Sequence, residues 1–190
     1  MLGELEGDFV ESFVDDLVLW ADTWRELIAR LRQVLLKLHE KFVRVKLSKC
    51  VFGASQVEHL GHLVDADGIQ LSPERKQGLR SIARPTDTST MRSFCGGANY
   101  FREFIPNFAT KIQPLTSMCS SVTPFAWGAE QEAAFVRIKA DILDAPLLHH
   151  IIQGHPLVMR TDASSRGVGG MLFQIIDGKE CWVAFASRAF

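Results

Sequence analysis

Apolar residues follow strand spacing near the two ends of the chain and helical spacing in its middle. Phe9 to Val14 and Leu17 to Trp20 are runs of β-prone residues, separated by Asp15 and Asp16. Because Asp favours turns while Val, Phe and Trp favour strands, this pattern predicts a β-hairpin with two carboxylates at its tip. An Asp pair alone, however, is more often a plain surface turn than a catalytic element.

The segment after the hairpin predicts an amphipathic helix that packs on a sheet. Thr23 and Glu26 have the spacing of a capping box. The residues that then recur on one helical face are Leu27, Leu31, Val34, Leu35, Leu38 and Phe42. Beyond this helix, residues 46–49 predict a short basic turn, and residues 57–64 predict a strand that contains Gly61.

Prolines and capping residues divide the middle of the chain into further helices. Ser72-Pro73 predicts an N-cap followed by a proline at the first helical position, and Arg84-Pro85 ends that helix. Further helices are expected over residues 88–104, 107–119 and 130–143, with a linker over residues 120–124.

The last part of the chain predicts three antiparallel strands, over residues 157–161, 169–176 and 181–186. Asp177-Gly178 between two apolar runs is a strong hairpin signal. A small sheet with an apolar face needs a helix to cover it, and we expect the helix over residues 130–143 to do so.

Composition and charge are typical of a folded protein whose acidic and basic residues lie in separate segments. The 190 residues are 47% hydrophobic and 23% charged, which is enough for one good core or two small domains. Residues 1–22 hold seven acidic residues and no Lys or Arg, whereas residues 23–49 hold eight Lys or Arg against two Glu. This split favours a metal next to a polyanion. The net charge of -1 excludes a strongly basic free-standing nucleic-acid binder.

The cysteines indicate an intracellular protein, cytoplasmic or nuclear. Cys50, Cys95, Cys119 and Cys181 lie far apart without CxxC spacing, and no long apolar run suggests a membrane partner. His59-x-x-His62 lacks a Cys or acidic partner at ligand spacing, which disfavours a zinc site.

Five motifs, taken together, resemble the reverse transcriptase of gypsy-type long-terminal-repeat retrotransposons. In chain order they are Phe13-Val14-Asp15-Asp16, Leu47 to Gly53, His59-Leu60-Gly61-His62, Ser93 to Pro106, and Thr161 to Gln174. The resemblance extends from Phe9 to the last residue and rests on the order and spacing of the motifs. It implies an α+β fold with three parts. These are the C-terminal part of a polymerase palm with antiparallel hairpins and a packed helix over residues 1–70, a helical thumb over 71–122, and a connection segment with an incomplete ribonuclease H-like sheet over 123–190.

The resemblance also implies roles for particular residues. Asp15 and Asp16 would bind catalytic Mg²⁺, with Mn²⁺ as a substitute, and Asp162 would be a metal ligand of the ribonuclease H-like part. Leu60, Gly61 and His62 would grip the primer end. Lys49 would either protonate the leaving pyrophosphate or balance phosphate charge, and a solvated turn lysine remains an equal alternative.

Nucleic-acid contacts are expected to be salt-sensitive contacts to phosphates, made by a basic stretch. Its expected members are Arg25, Arg30, Arg32, Arg44, Lys46 and Lys49. An alternative for His59 and His62 is that they only flank this part of the strand and have no role in binding.

The expected function is that of a fragment of an RNA-directed DNA polymerase, which extends a primer on an RNA or DNA template by Mg²⁺-dependent nucleotidyl transfer. Its partners would be primer–template, deoxynucleotides and the rest of a polyprotein. We expect a further catalytic aspartate upstream and further ribonuclease H carboxylates beyond Phe190, so the isolated chain is expected to be inactive. Phe13 replaces a usual Tyr, and Gly96-Gly97 replaces a bulkier pair, which puts thumb packing in doubt. The alternative is a non-catalytic remnant or co-opted element with a binding or structural role.

Overall fold

A computed structural model describes residues 2–120 and 124–190, which fall into two compact units, Met1–His59 and Leu60–Phe190. Most of the expected linker over 120–124, and the expected boundary between residues 122 and 123, lie outside the described residues. The mixture of helices and antiparallel strands confirms the α+β class.

The first unit begins with the expected hairpin. Strand β1 is Val10–Phe13 and strand β2 is Asp16–Leu19, with Val10 opposite Leu19 and Phe13 opposite Asp16. The expected turn at Asp15-Asp16 is wrong by one residue, since Val14 and Asp15 form it and Asp16 begins β2. The shift follows from Val14, which adopts a left-handed φ of 57°.

Helix α1, Trp24–Glu40, closes the core of this unit. The Thr23 side chain accepts a hydrogen bond from the Glu26 amide at 3.3 Å, which confirms the predicted N-cap. The buried core consists of Leu2, Phe9, Val10, Val34 and Leu38. The predicted apolar face is wrong at two positions. Leu35 is 43% exposed, and Phe42, which follows the helix, is 94% exposed.

After α1, the first unit continues with a 3₁₀ turn over Leu47–Lys49 and ends with strand β3, Gln56–His59. In the second unit, β4 is His62–Asp65, β5 is Gly68–Leu71 and β6 is Leu148–His149, and β5 pairs antiparallel with both of the others. The single strand expected over residues 57–64 is wrong. Leu60 and Gly61 both have positive φ, 52° and 76°, so the chain turns there.

Four helices build the core of the second unit. They are α2, Pro73–Ser81; α3, Thr88–Asn99; α4, Phe108–Thr116; and α5, Ala129–Leu143. Two of them are shorter than predicted, because Arg102–Phe104 and Ser117–Cys119 are 3₁₀ turns. Large buried side chains from α3, α4 and α5, such as Phe94, Leu115 and Ile138, form one continuous core.

The final sheet is longer than predicted and is joined to this core. Its strands are β7, Leu157–Ser164; β8, Gly167–Ile176; and β9, Lys179–Ala189. Asp177 and Gly178 have φ of 50° and 76°, which confirms the hairpin. The expected cover by the helix over 130–143 is wrong. Strand β9 packs on α4 instead, and Phe185 enters the shared core.

Glycines make this approach of α4 to the sheet possible. A Cβ on Gly169 would collide with the Asn107 side chain, which precedes α4, and a Cβ on Gly167 would lie 3.1 Å from Thr110 Oγ1. In addition, the Ala109 amide donates to Ser187 Oγ at 2.9 Å. None of the helices that the structure describes is long and apolar enough to cross a membrane.

Candidate metal and nucleic-acid site

The hairpin tip presents two adjacent carboxylates to solvent. Asp15 and Asp16 are exposed, as is Phe13, which lies opposite Asp16. Val14 is 86% exposed at a φ that β-branched residues rarely adopt. Backbone strain of this kind persists where the surroundings impose it, and it concentrates at functional sites. Sequence reasoning missed this feature, since a Val in a tight turn gives no local signal for positive φ.

Contacts behind the tip tie the hairpin to α1. The Ser12 hydroxyl donates to Glu6 Oε1. Arg30 donates to the Trp20 carbonyl at 2.7 Å, pairs with Glu26 at 2.7 Å, and lies 4.9 Å from the centre of the Phe9 ring. The Arg30 guanidinium, expected at a phosphate, is therefore engaged within the protein. The other expected basic residues are exposed, and they are Arg25, Arg32, Arg44, Lys46 and Lys49.

The chemistry of the hairpin tip fits part of a magnesium site. Carboxylate oxygens are the ligands that Mg²⁺ prefers, and two-metal sites use carboxylates to hold both ions. Within residues 2–120 and 124–190, no group of three or more His, Cys, Asp or Glu could hold a metal ion. Asp15 and Asp16 would therefore supply only part of such a ligand set.

The loop that carries Lys49 is anchored at both ends. The Cys50 thiol donates to the Lys46 carbonyl at 3.4 Å, which closes the 3₁₀ turn. Gly53, with a φ of 63°, lies directly beneath the Trp24 indole. The loop therefore presents Lys49 from a fixed backbone, and Gly53 is the one residue of the motif whose type signals the close contact.

The expected primer-grip residues form a supported turn. The Tyr100 hydroxyl donates to the Leu60 carbonyl, and the Ser72 amide donates to the Gly61 carbonyl at 3.2 Å. The His62 ring stacks on Tyr100 and Phe104, with ring centres 5.1 and 5.4 Å apart. These aromatic side chains line a shallow groove of about 340 Å³.

Sequence reasoning missed Tyr100 and Arg75 at this turn. Gly61 has a φ of 76°, which favours glycine, and a Cβ there would displace the Arg75 side chain. Burial raises the pKa of Tyr100, which the nearby Arg75 charge partly offsets. Tyr100 lies 40 positions from Leu60 in sequence, and such a pairing has no local signal.

The glycine pair in α3 lies outside the packed side of the helix. A Cβ at Gly96 or Gly97 would meet nothing within 4 Å, because both residues are on the exposed side. The packed side consists of Met91, Phe94, Cys95 and Ala98. The expectation of disturbed packing is therefore wrong.

Asp162 lies in the middle of β7, opposite Gly169, which in turn lies opposite Ser187 on β9. The side chain is exposed. Residue parity places Asp162 on the same side of the sheet as Gly169 and Ser187, where α4 begins. The structure thus extends the strand predicted over residues 157–161 through Asp162, and the metal-ligand role of this carboxylate stays a prediction.

Comparison with known proteins identifies the class. Residues 127–190 match the family described as an RNase H-like domain found in reverse transcriptase. The Retrovirus-related Pol polyprotein from transposon 412 of Drosophila melanogaster is 30% identical over 178 residues, which are 94% of this chain and 14% of that protein. The Transposon Tf2-3 polyprotein of Schizosaccharomyces pombe is 28% identical over 92% of this chain and 13% of that protein.

Solved structures agree with the sequence relatives. The foamy viral protease-reverse transcriptase dRH in complex with double-stranded DNA superimposes with a TM-score of 0.81 at 27% identity, over 100% of this chain and 33% of that chain. The same viral protein in complex with an RNA/DNA hybrid gives a TM-score of 0.80 at 26% identity, over 95% of this chain and 25% of that chain.

The fold and the sequence relatives define a reverse transcriptase-type segment. More particularly, the chain is homologous to the reverse transcriptase and RNase H region of retrotransposon Pol polyproteins, and it corresponds to a small part of their length.

Proposed function

We propose that the chain contributes the C-terminal part of the palm, the thumb and the first strands of the ribonuclease H-like domain to an RNA-directed DNA polymerase of a gypsy-type element. The proposed parts are residues 1–70, 71–122 and 123–190. The observation that carries this proposal is the hairpin tip, where Val14 is held at positive φ and Asp15 and Asp16 are presented side by side.

Each group of residues has a distinct task in this proposal. Asp15 and Asp16 would hold Mg²⁺ or Mn²⁺ together with carboxylates from other parts of the polyprotein. Bound ions of this kind stabilise the attacking and leaving oxygens of a phosphoryl displacement. Lys49 would protonate the leaving pyrophosphate or balance its charge, and Leu60, Gly61 and His62 would hold the primer end.

The remaining proposals concern partners and location. The exposed cations Arg25, Arg32, Arg44 and Lys46 would contact phosphates, as would Lys49. Partners would be primer–template, deoxynucleotides and the rest of the polyprotein. The foamy viral relatives were solved with double-stranded DNA and with an RNA/DNA hybrid, which supports this choice of nucleic acid. All four cysteines are free thiols, which supports an intracellular location, cytoplasmic or nuclear.

Asp162 would serve as one of the carboxylates of the ribonuclease H-like part.

Primer extension tests the polymerase proposal. These residues would replace the matching segment of the transposon 412 Pol polyprotein, and Mg²⁺-dependent nucleotide incorporation would be measured on an RNA template. We expect incorporation by the chimera, loss of at least about a hundred-fold with Asp15→Asn, and little change with Asp22→Asn, an exposed acid outside the tip. Incorporation that survives Asp15→Asn, or a folded chimera that does not incorporate nucleotides, would contradict the proposal.

A further inference from the structure

We propose that Tyr100 is a positioning residue for the Leu60–Gly61 turn, and that its hydroxyl holds the turn where a primer terminus would bind. This inference rests on the proposed function, in which the turn grips the primer end. It adds a residue of α3's C-cap to a site that the sequence motif confines to residues 59–62.

Hydrogen bonds from within the second unit hold the turn on its carbonyl side. The Tyr100 hydroxyl donates a hydrogen bond to the Leu60 carbonyl, and the Ser72 amide donates one to the Gly61 carbonyl. Leu60 has a φ of 52°, a conformation that costs a non-glycine residue energy and needs support from its surroundings. The Tyr100 bond acts directly on this strained peptide, so its loss should release the turn.

The Tyr100 ring contributes separately from its hydroxyl. It stacks on His62 at 5.1 Å and meets Phe101 edge to face, also at 5.1 Å. The hydroxyl oxygen lies 3.3 Å from His62 Nδ1. Tyr100→Phe therefore removes the bond to Leu60 while the stacking surface remains.

The environment keeps the hydroxyl able to donate. A phenol is protonated at neutral pH, and burial raises the pKa of Tyr100 further from that range. The Arg75 side chain occupies the space over Gly61, which limits the positions that the turn can take once its carbonyls are held. Two side chains from different helices, α2 and α3, thus converge on one two-residue turn.

Amide hydrogen exchange of the 190-residue chain tests the positioning step. With Tyr100→Phe, we expect exchange at Gly61 and His62 to rise about ten-fold, the size expected when one hydrogen bond is lost, with unchanged protection in β5 and α3. Ser117→Ala is the matched control, since it removes a hydroxyl that donates to the Pro114 carbonyl at 2.9 Å, outside the turn. Equal exchange at the turn in wild type and Tyr100→Phe would overturn the proposal.

A binding experiment tests the consequence for the primer. Fluorescence anisotropy would compare a DNA duplex that has a recessed 3′ end with the same duplex closed at both ends by hairpin loops. We expect the wild-type chain to prefer the recessed end several-fold, and Tyr100→Phe to lose this preference with unchanged affinity for the closed duplex. Ser117→Ala should behave as wild type.

The outcomes separate this inference from the function on which it rests. A wild-type preference that survives Tyr100→Phe overturns the positioning role alone. If the wild-type chain shows no preference, or no binding, the primer-grip assignment fails and the inference falls with it. A merely structural hydroxyl would raise exchange throughout β4, β5 and α3 and leave the preference intact.

Discussion

The Trp24 indole lies directly over Gly53, so that a side chain at position 53 would require the indole to move. Two ring carbons lie less than 3.0 Å from the position of a Cβ on Gly53, a separation that real Cβ atoms essentially never show. Trp24 is the first residue of α1, and Gly53 ends the loop that carries Lys49. This contact is what joins the loop to the helix.

Gly53→Ala should therefore displace the loop and destabilise the first unit. The substitution adds a clash to the cost of positive φ, and we expect a loss of about 2–4 kcal/mol in unfolding free energy. Gly3→Ala is the matched control, because Gly3 has a similar φ of 62° and open space around it. Urea denaturation measures both variants. Equal losses would show that the Trp24 contact contributes nothing.

The effect of a Gly→Ala substitution on stability should depend on the space around each glycine. Gly97→Ala should stabilise the protein by up to about 1 kcal/mol, because it lies in α3 with nothing within 4 Å. Gly167→Ala should destabilise it by about 1–3 kcal/mol, since its Cβ would lie 2.5 Å from the Arg188 carbonyl oxygen. Thermal denaturation compares the two. A fall in melting temperature with Gly97→Ala would mean that α3 packs through its glycines after all.

Asp141 should matter more than other acids in ion pairs. It accepts from Lys111 on α4 at 2.7 Å and from Arg137 at 2.9 Å, and its side chain is 17% exposed. Asp141→Asn should cost about 1–3 kcal/mol, because a poorly solvated Lys111 loses its partner. Glu180→Gln breaks the more exposed pair with Arg160 and should cost less than Asp141→Asn, because solvent screens an exposed ion pair. Similar losses for both variants, measured in urea, would contradict this ranking.

Acid should remove the contribution of the α3 cap. The Thr90 amide donates to Asp87 at 2.8 Å and lowers the pKa of this carboxyl. A lowered pKa in the folded state gives stability that is present above the ordinary carboxyl pKa of about 4 and is lost as pH falls below it. Wild type should therefore exceed Asp87→Asn in stability at pH 7, and the difference should shrink towards pH 2. A constant difference across a pH series of melting temperatures would contradict the assignment.

Local signals in the sequence predicted most of the elements. Thr23, Ser72 and Asp177-Gly178 each mark a boundary through the side chain or glycine that the structure uses there. The errors arose where tertiary contacts decide. The sequence predicted one strand through Gly61, yet Leu60 and Gly61 form a turn that is hydrogen-bonded to Tyr100, 40 positions away from Leu60.

For the candidate site as well, local motifs predicted the positions of residues and did not predict their tertiary contacts. Motif spacing placed Asp15, Lys49 and Asp162 on the elements where the structure has them. Motif spacing did not show that Arg30 pairs with Glu26 and donates to the Trp20 carbonyl, because neither contact belongs to one of the motifs. The cover of the last sheet by α4 depends on Gly167 and Gly169, whose role becomes visible only when the strands are paired.

Metal binding at the hairpin tip tests the central claim most directly. Mn²⁺ would be added to the isotope-labelled 190-residue chain, and paramagnetic broadening of the backbone amide signals would be measured. We predict selective broadening from Val14 to Leu17 that Mg²⁺ competes away, that Asp15→Asn with Asp16→Asn abolishes, and that Asp22→Asn leaves intact. Broadening spread evenly over the exposed acids, or unchanged in the double variant, would contradict the account.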